Sequence, residues 1–152
     1  MAEATTFLWF DDDLEEAIGF WATVFPDTAL VDARRGPEGR VLTATLRILG
    51  RPFAALNGGP GHPFTDAISI AVDCADQAEV DRYWDALVAC GATEVACGWI
   101  TDRFGLSWQI VPRRLPELLG DPDPARAARA MQAMLGMVRL DVAALEAAAD
   151  AR

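Results

Sequence analysis

The stretch Gly98–Pro112, GWITDRFGLSWQIVP, decides how the rest of the chain is read. Asp102 and Gly105 supply turn chemistry: Asp caps tight turns, and Gly accepts a positive φ at no steric cost. Leu106 to Val111 then reads as a strand of β-favouring residues, closed by Pro112, which cannot donate to a ladder. Alternation puts Leu106, Trp108 and Ile110 on one face and Ser107, Gln109 and Val111 on the other. The first face is bulky and apolar. The second offers an amide and a hydroxyl, as the wall of a polar-lined cavity does.

Working outward, the chain has two stretches of the same design. Thr5 to Phe10 reads as a strand, and Asp13-x-x-Glu16 as a helix start related to the capping box. Leu14, Ala17, Ile18, Trp21, Val24 and Phe25 follow at helical spacing, up to Pro26. Strands over Ala29–Arg35, Val41–Leu49 and Arg51–Asn57 come next, with turns at Gly36-Pro37-Glu38-Gly39 and Gly50. The segment Asn57-Gly-Gly-Pro-Gly-His-Pro63 is a loop between two halves. The second half opens with a strand over Ile68–Asp73, the cap Asp76-x-x-Glu79, and a helix lined by Val80, Tyr83, Trp84, Leu87 and Val88. Residues 13–21 superpose on 76–84 without a gap, an offset of 63, with Asp, Glu and Trp coinciding. A duplicated βαβββ unit is the economical reading.

The string FLWFDDDLEEA near the start, ALNGGP in the middle, CGW before the turn and Asp102-x-x-Gly105 followed by Gln109 resembles the vicinal-oxygen-chelate superfamily, which holds glyoxalases, bleomycin-resistance proteins and extradiol dioxygenases. Within it the resemblance is to the PhnB-like branch, often labelled 3-demethylubiquinone-9 3-methyltransferase-like, and it runs from about Phe7 to Leu145. It implies an α+β fold in which two βαβββ units form a curved mixed-sheet half-barrel around a cavity. On this reading residues 1–152 are one domain, with units at 5–58 and 66–112 and a helical extension at 113–152. In the extension, Asp121-Pro-Asp-Pro124 signals a helix start and Asp141 opens a last helix. Met131, Met134, Leu135 and Val138 form a stripe that packs on the sheet or on a second subunit.

Metal-using members of the superfamily place His, Glu or Gln ligands on the first and last strands of each unit. Counting seven residues back from each cap leads to Thr6 and Ser69, again 63 apart, and the last strands offer Asn57 and Gln109. Hydroxyls and neutral amides bind divalent transition metals poorly, and no carboxylate balances the charge. The triple Asp11-Asp12-Asp13 reads as helix capping. No metal and no cofactor are therefore expected. The ligand-facing candidates are Thr6, Trp9, Asn57, Ser69, Trp99, Trp108 and Gln109. His62, the only histidine, is the one candidate for general acid–base work; otherwise it is a solvated loop residue. The glycines of Asn57-Gly-Gly-Pro-Gly lead to a strand and not to a helix, so the usual S-adenosylmethionine seat is absent from the pattern.

Composition narrows the partners. At 152 residues, 52% hydrophobic and 24% charged, the chain has ordinary globular make-up. A net charge of −10 repels polyanions and argues against nucleic acid. No apolar run reaches the ~18–20 residues of a membrane span, and MAEATT lacks the pattern of a secretory signal. Cys74, Cys90 and Cys97 have no metal spacing and read as reduced thiols in the cytoplasm. The expectation is a metal-independent small-molecule binding protein, or an enzyme of unassigned substrate, pairing as a homodimer. A metal-dependent lyase, isomerase or dioxygenase, a methyltransferase acting on a quinone-like ring, and an antibiotic-sequestering protein remain as alternatives.

Overall fold

The computed structural model describes residues 1–151. Two compact units divide the chain, Met1–Phe64 and Thr65 onward. Each holds a four-stranded mixed sheet with a helix on one face.

In the first unit, β1 (Phe7–Phe10), α1 (Leu14–Val24), β2 (Ala29–Arg35), β3 (Val41–Ile48) and β4 (Arg51–Asn57) form a sheet of order β1-β4-β3-β2. β1 runs parallel to β4, and the other pairs are antiparallel. The helix exists because Leu14, Ala17, Ile18, Trp21 and Val24 recur on one face, and all are buried. Phe10 meets Trp21 with ring centroids 5.9 Å apart, which ties the strand to the helix. Pro26 forces Phe25 into an extended conformation and ends the helix at Val24. The β3–β4 hairpin turns on Leu49 and Gly50, both at positive φ (49° and 76°), as a primed two-residue turn requires. Leu49 tolerates that conformation with its N–H held by Thr28 Oγ1 at 3.1 Å.

In the second unit, β5 (Ser69–Cys74), α2 (Gln77–Ala89), β6 (Thr93–Glu94), β7 (Trp99–Thr101) and β8 (Ser107–Pro112) repeat the order as β5-β8-β7-β6, with β5 parallel to β8. Val80, Tyr83, Trp84 and Leu87 are buried as the periodicity predicts, whereas Val88 remains exposed. Asp76 accepts the N–H of Glu79 at 2.9 Å, the N-cap half of a capping box, and the Glu79 carboxylate reaches back one residue past the cap to accept the N–H of Ala75 at 2.8 Å. Asp13 makes no such bond, so the parallel cap expected on α1 is corrected. Asp12 instead pairs with Arg40 at 2.5 Å.

The extension folds as α3 (Arg114–Leu119), α4 (Pro124–Leu135) and α5 (Val142–Asp150). Asp123 and Asp141 cap the last two helices, as the sequence indicates. Leu115, Leu118, Ala130, Leu140, Leu145 and Ala149 make a core of their own, which Met134 joins. Met131, Leu135 and Val138 stay exposed, so the methionine-rich stripe is only partly covered.

Candidate functional site

Along β8 and the residue before it, Leu106, Trp108 and Ile110 are at most 1% exposed and Gln109 and Val111 are half-buried, but Ser107, expected on the open face, is itself buried at 2%. Antiparallel register sets Trp99 opposite Gln109, so both lie on the face away from α2. Parallel pairing sets Ser69 two residues from Ala71, the partner of Gln109. The Gln109 Nε2 amide donates diagonally to Ser69 Oγ at 2.8 Å. The structure thus brings three of the expected residues, Ser69, Trp99 and Gln109, onto one open sheet face. There a cavity of about 310 Å³ is lined by Cys97, Trp99, Gln109 and Val111 from the sheet side, and by Leu115, Pro116, Leu119 and Met134 from the helices. Its walls carry one amide and no carboxylate, guanidinium or ammonium group.

The remaining candidates fall elsewhere, each for a physical reason. Trp108 is fully buried, and its indole N–H donates to Asp102 Oδ2 at 2.9 Å; it belongs to the core and not to a pocket wall. Asn57 is committed at both ends of its amide. Its Oδ1 accepts the Leu14 N–H at 3.1 Å and its Nδ2 donates to the Val41 carbonyl at 2.9 Å. It caps α1 in the place where Asp13 was expected to act. Trp9 donates its indole N–H to the Gly59 carbonyl at 2.9 Å, and the His62 ring sits against it at 4.3 Å. His62 itself is exposed in the loop.

Thr6 is corrected by strand parity. Alternation places it with Leu8 and Phe10, on the helix side of the sheet, and not with Phe7 and Trp9. The offset of 63 holds for the helices but not for the strands that precede them. Three residues, Asp11 to Asp13, link β1 to α1, whereas two, Ala75 and Asp76, link β5 to α2. The extra residue shifts the strands by one, so that Thr5 and not Thr6 corresponds to Ser69. By the same count Gln109, opposite Ala71, corresponds to Ala54, opposite Phe7. Alternating burial along β1, readable from Leu8 and Phe10 against Phe7 and Trp9, was the signal that could have revealed this.

That correction bears on metal binding. With Ala54 at one of the four positions and hydroxyls or an amide at the others, the residues do not fit a divalent metal. Among the described residues no three His, Cys, Asp or Glu side chains gather into a group that could hold one. The glycine loop fits S-adenosylmethionine no better. Gly58 serves a packing need, since a Cβ there would lie 2.3 Å from Trp9 Cζ2, and the loop enters β5 without an intervening helix. Cys74 is no nucleophile. Burial, with the nearby Glu79 and Asp73 charges, pushes its thiol up to about 12.

Two βαβββ units with this strand order define a glyoxalase-type protein of the vicinal-oxygen-chelate superfamily. The chain belongs to the family described as 3-demethylubiquinone-9 3-methyltransferase, which matches residues 2–111, and to its PhnB-like branch. Among solved structures it is similar to the PhnB protein of Bacillus cereus, itself provisionally named a 3-demethylubiquinone-9 3-methyltransferase. That match has 29% identity and a TM-score of 0.63, and covers 71% of this chain and 97% of that one. A Pseudomonas aeruginosa protein shares the fold at 20% identity and a TM-score of 0.55, over 71% and 95% of the two chains. So does the fosfomycin resistance protein FosX of Listeria monocytogenes, in a complex with Mn(II) and sulfate, at 15% identity and a TM-score of 0.51 over 71% and 87%. No curated protein matches the chain.

Proposed function

We propose that this chain binds a small organic molecule without a metal ion, at the cavity that Trp99 and Gln109 share with the C-terminal helices. The observation that carries the reading is the face built by Ser69, Trp99 and Gln109. It offers an oriented amide, an aromatic ring and a half-open, largely apolar groove, features shared by small-molecule sites, and lacks the donors a metal needs. FosX binds Mn(II) in its complex, but the four positions compared above hold no carboxylate or imidazole in this chain, which supports a metal-independent role here. Exposed Met131, Leu135 and Val138 support association with a second copy, since apolar side chains grouped on one helix and its following turn favour burial. Three unpaired cysteines suit a reducing cytoplasm. No helix among the described residues is long and apolar enough to cross a membrane.

The test is elemental analysis of protein purified without an affinity tag, repeated after chelation and dialysis against zinc, nickel and manganese. The expected result is folded protein with far less than one equivalent of any of them, whose melting temperature rises with a neutral aromatic ligand. Stoichiometric metal that chelation removes and one ion restores would overturn the reading.

A further inference from the structure

Four of the eight residues lining the cavity, Leu115, Pro116, Leu119 and Met134, lie beyond residue 111, where the family match ends. The alignment with the Bacillus cereus PhnB protein takes up 97% of that chain but only 71% of this one, which leaves that relative little length for such helices. The far wall of the cavity is therefore an addition to the family framework.

The added wall is fixed in place. The N–H groups of Cys97 and Gly98 donate to the carbonyls of Met137 and Val138, both at 2.8 Å. Gln77 on α2 donates to the Leu140 carbonyl at 3.1 Å and accepts the Val142 N–H at 2.8 Å. Arg139 pairs with Asp81 at 3.2 Å and also with Asp85. Below these ties lies a core of leucines and alanines at most 6% exposed. The segment from Met137 to Val142 is thus tied to the start of β7 and to α2, and α3 and α4 pack with it on that shared core.

The chemistry of that wall selects the occupant. Carbon from Leu115, Pro116, Leu119 and Met134 faces Trp99 and Val111 across about 310 Å³, room for a ligand of one or two rings. A charged ligand would lose its hydration with no opposite charge in the lining to replace it. An anion would also meet a chain of net charge −10. Of the lining side chains, Gln109 alone combines a strong acceptor with a donor, beside the donor-only indole of Trp99 and the weakly donating thiol of Cys97. Gln109, whose Nε2 is oriented by Ser69, has its carbonyl oxygen and second N–H to offer a hydroxyl or carbonyl.

We infer that the C-terminal extension is the specificity-determining wall of this site, and that the site takes a neutral, ring-sized, largely apolar molecule bearing one hydrogen-bonding group directed at Gln109. The inference rests on the reading of this cavity as the binding site.

The test uses the full chain, 15N-labelled, with 2-naphthol as the neutral probe and 2-naphthoate as its charged counterpart. Shifts of the Gln109 side-chain amide and the Trp99 indole N–H report occupancy. 2-Naphthol is expected to move both signals and to bind roughly tenfold or more tightly than 2-naphthoate. Met134→Trp, which fills the cavity from α4, is expected to weaken 2-naphthol by a similar factor, and Gln132→Ala on the exposed side of α4 to leave it unchanged. Should Met134→Trp not fold, Leu119→Ala tests the same wall and is expected to weaken binding several-fold. Shifts at Gln109 and Trp99 that persist unaltered in the folded wall variant, or equal binding of 2-naphthoate, would overturn the inference and leave the binding site standing. No shift at either residue with both probes would remove both.

Discussion

The indole N–H of Trp108 donates to Asp102 Oδ2 at 2.9 Å, while Asp102 Oδ1 accepts the backbone N–H groups of Phe104 and Leu106 at 2.9 and 3.0 Å. One carboxylate, 4% exposed, thus closes the β7–β8 turn and anchors the largest side chain of β8. The same strand carries Gln109 on its other face, so this bond fixes the floor of the cavity from behind. Asp102→Ala would strand the indole N–H and two backbone donors at a buried site. We expect a loss of about 3 kcal/mol in chemical unfolding, since each buried unsatisfied donor costs about 1–3 kcal/mol and solvent entry recovers part of that. A change below about 0.5 kcal/mol would show that the turn holds without it.

Asn57 gives a second case in which a side chain thought to meet ligand is occupied by the fold. Because it caps α1 and Asp13 does not, Asn57→Ala should cost about 1–2 kcal/mol and Asp13→Ala close to nothing. Asn57→Asp keeps the acceptor for the Leu14 N–H but loses the donor to the Val41 carbonyl, and should fall between them. Urea melts of the three variants settle the order; equal losses at Asn57 and Asp13 would contradict this account of the cap.

These two residues also show where sequence reading succeeds and where it fails. Helix faces were legible because burial follows a local period: Trp21 and Trp84 are buried where the spacing put them. The place of Gln109 on the open face of β8 was legible for the same reason, whereas Ser69 came from the count of seven residues back from Asp76, and its diagonal bond to Gln109 emerges only from the strand register. Thr6 was misplaced because a single residue in a loop reverses every side chain of the adjoining strand, and an ungapped helix match carries no information about that loop. Asn57 and Trp108 were misread because their polar atoms serve distant backbone or carboxylate partners, which no local pattern reveals. The wall supplied by Leu119 and Met134 lay in a segment that read only as helix.

Gly58 tests how Trp9 is held. A Cβ at this position would stand 2.3 Å from Trp9 Cζ2 and 2.4 Å from Cε2, so the indole has to move. Movement would break its 2.9 Å bond to the Gly59 carbonyl and its contact with His62. Gly58→Ala is therefore expected to destabilise by about 1–3 kcal/mol, the range for overpacking. In a Trp9→Phe background the ring is smaller and the added penalty should fall by more than about 0.5 kcal/mol, a coupling that a double-mutant cycle reads directly. Additive effects of the two substitutions would argue that Gly58 is needed for another reason.

Cys74 makes stability depend on alkaline pH. Its side chain is fully buried, and desolvation first, then the Glu79 and Asp73 charges, raises its thiol from 9.0 to about 12. Between those two values the unfolded chain loses the proton and the folded chain keeps it, so unfolding releases a proton and becomes easier as pH rises. The stability is whole below pH 9 and drains away towards pH 12. Tyr83, raised chiefly by desolvation, acts with the same sign, so the Cys74 share has to be isolated with a variant. The urea midpoint of the wild type should drop between pH 8.5 and pH 10.5, two settings chosen at roughly either side of the free thiol value, and drop less in Cys74→Ala. At neutral pH the same burial should leave Cys74 unreactive towards iodoacetamide while exposed Cys90 is alkylated, because the thiolate is the attacking species. Equal pH slopes in the two proteins, or alkylation of Cys74 in the folded state, would show that the thiol is less enclosed by β5 and α2 than its burial implies.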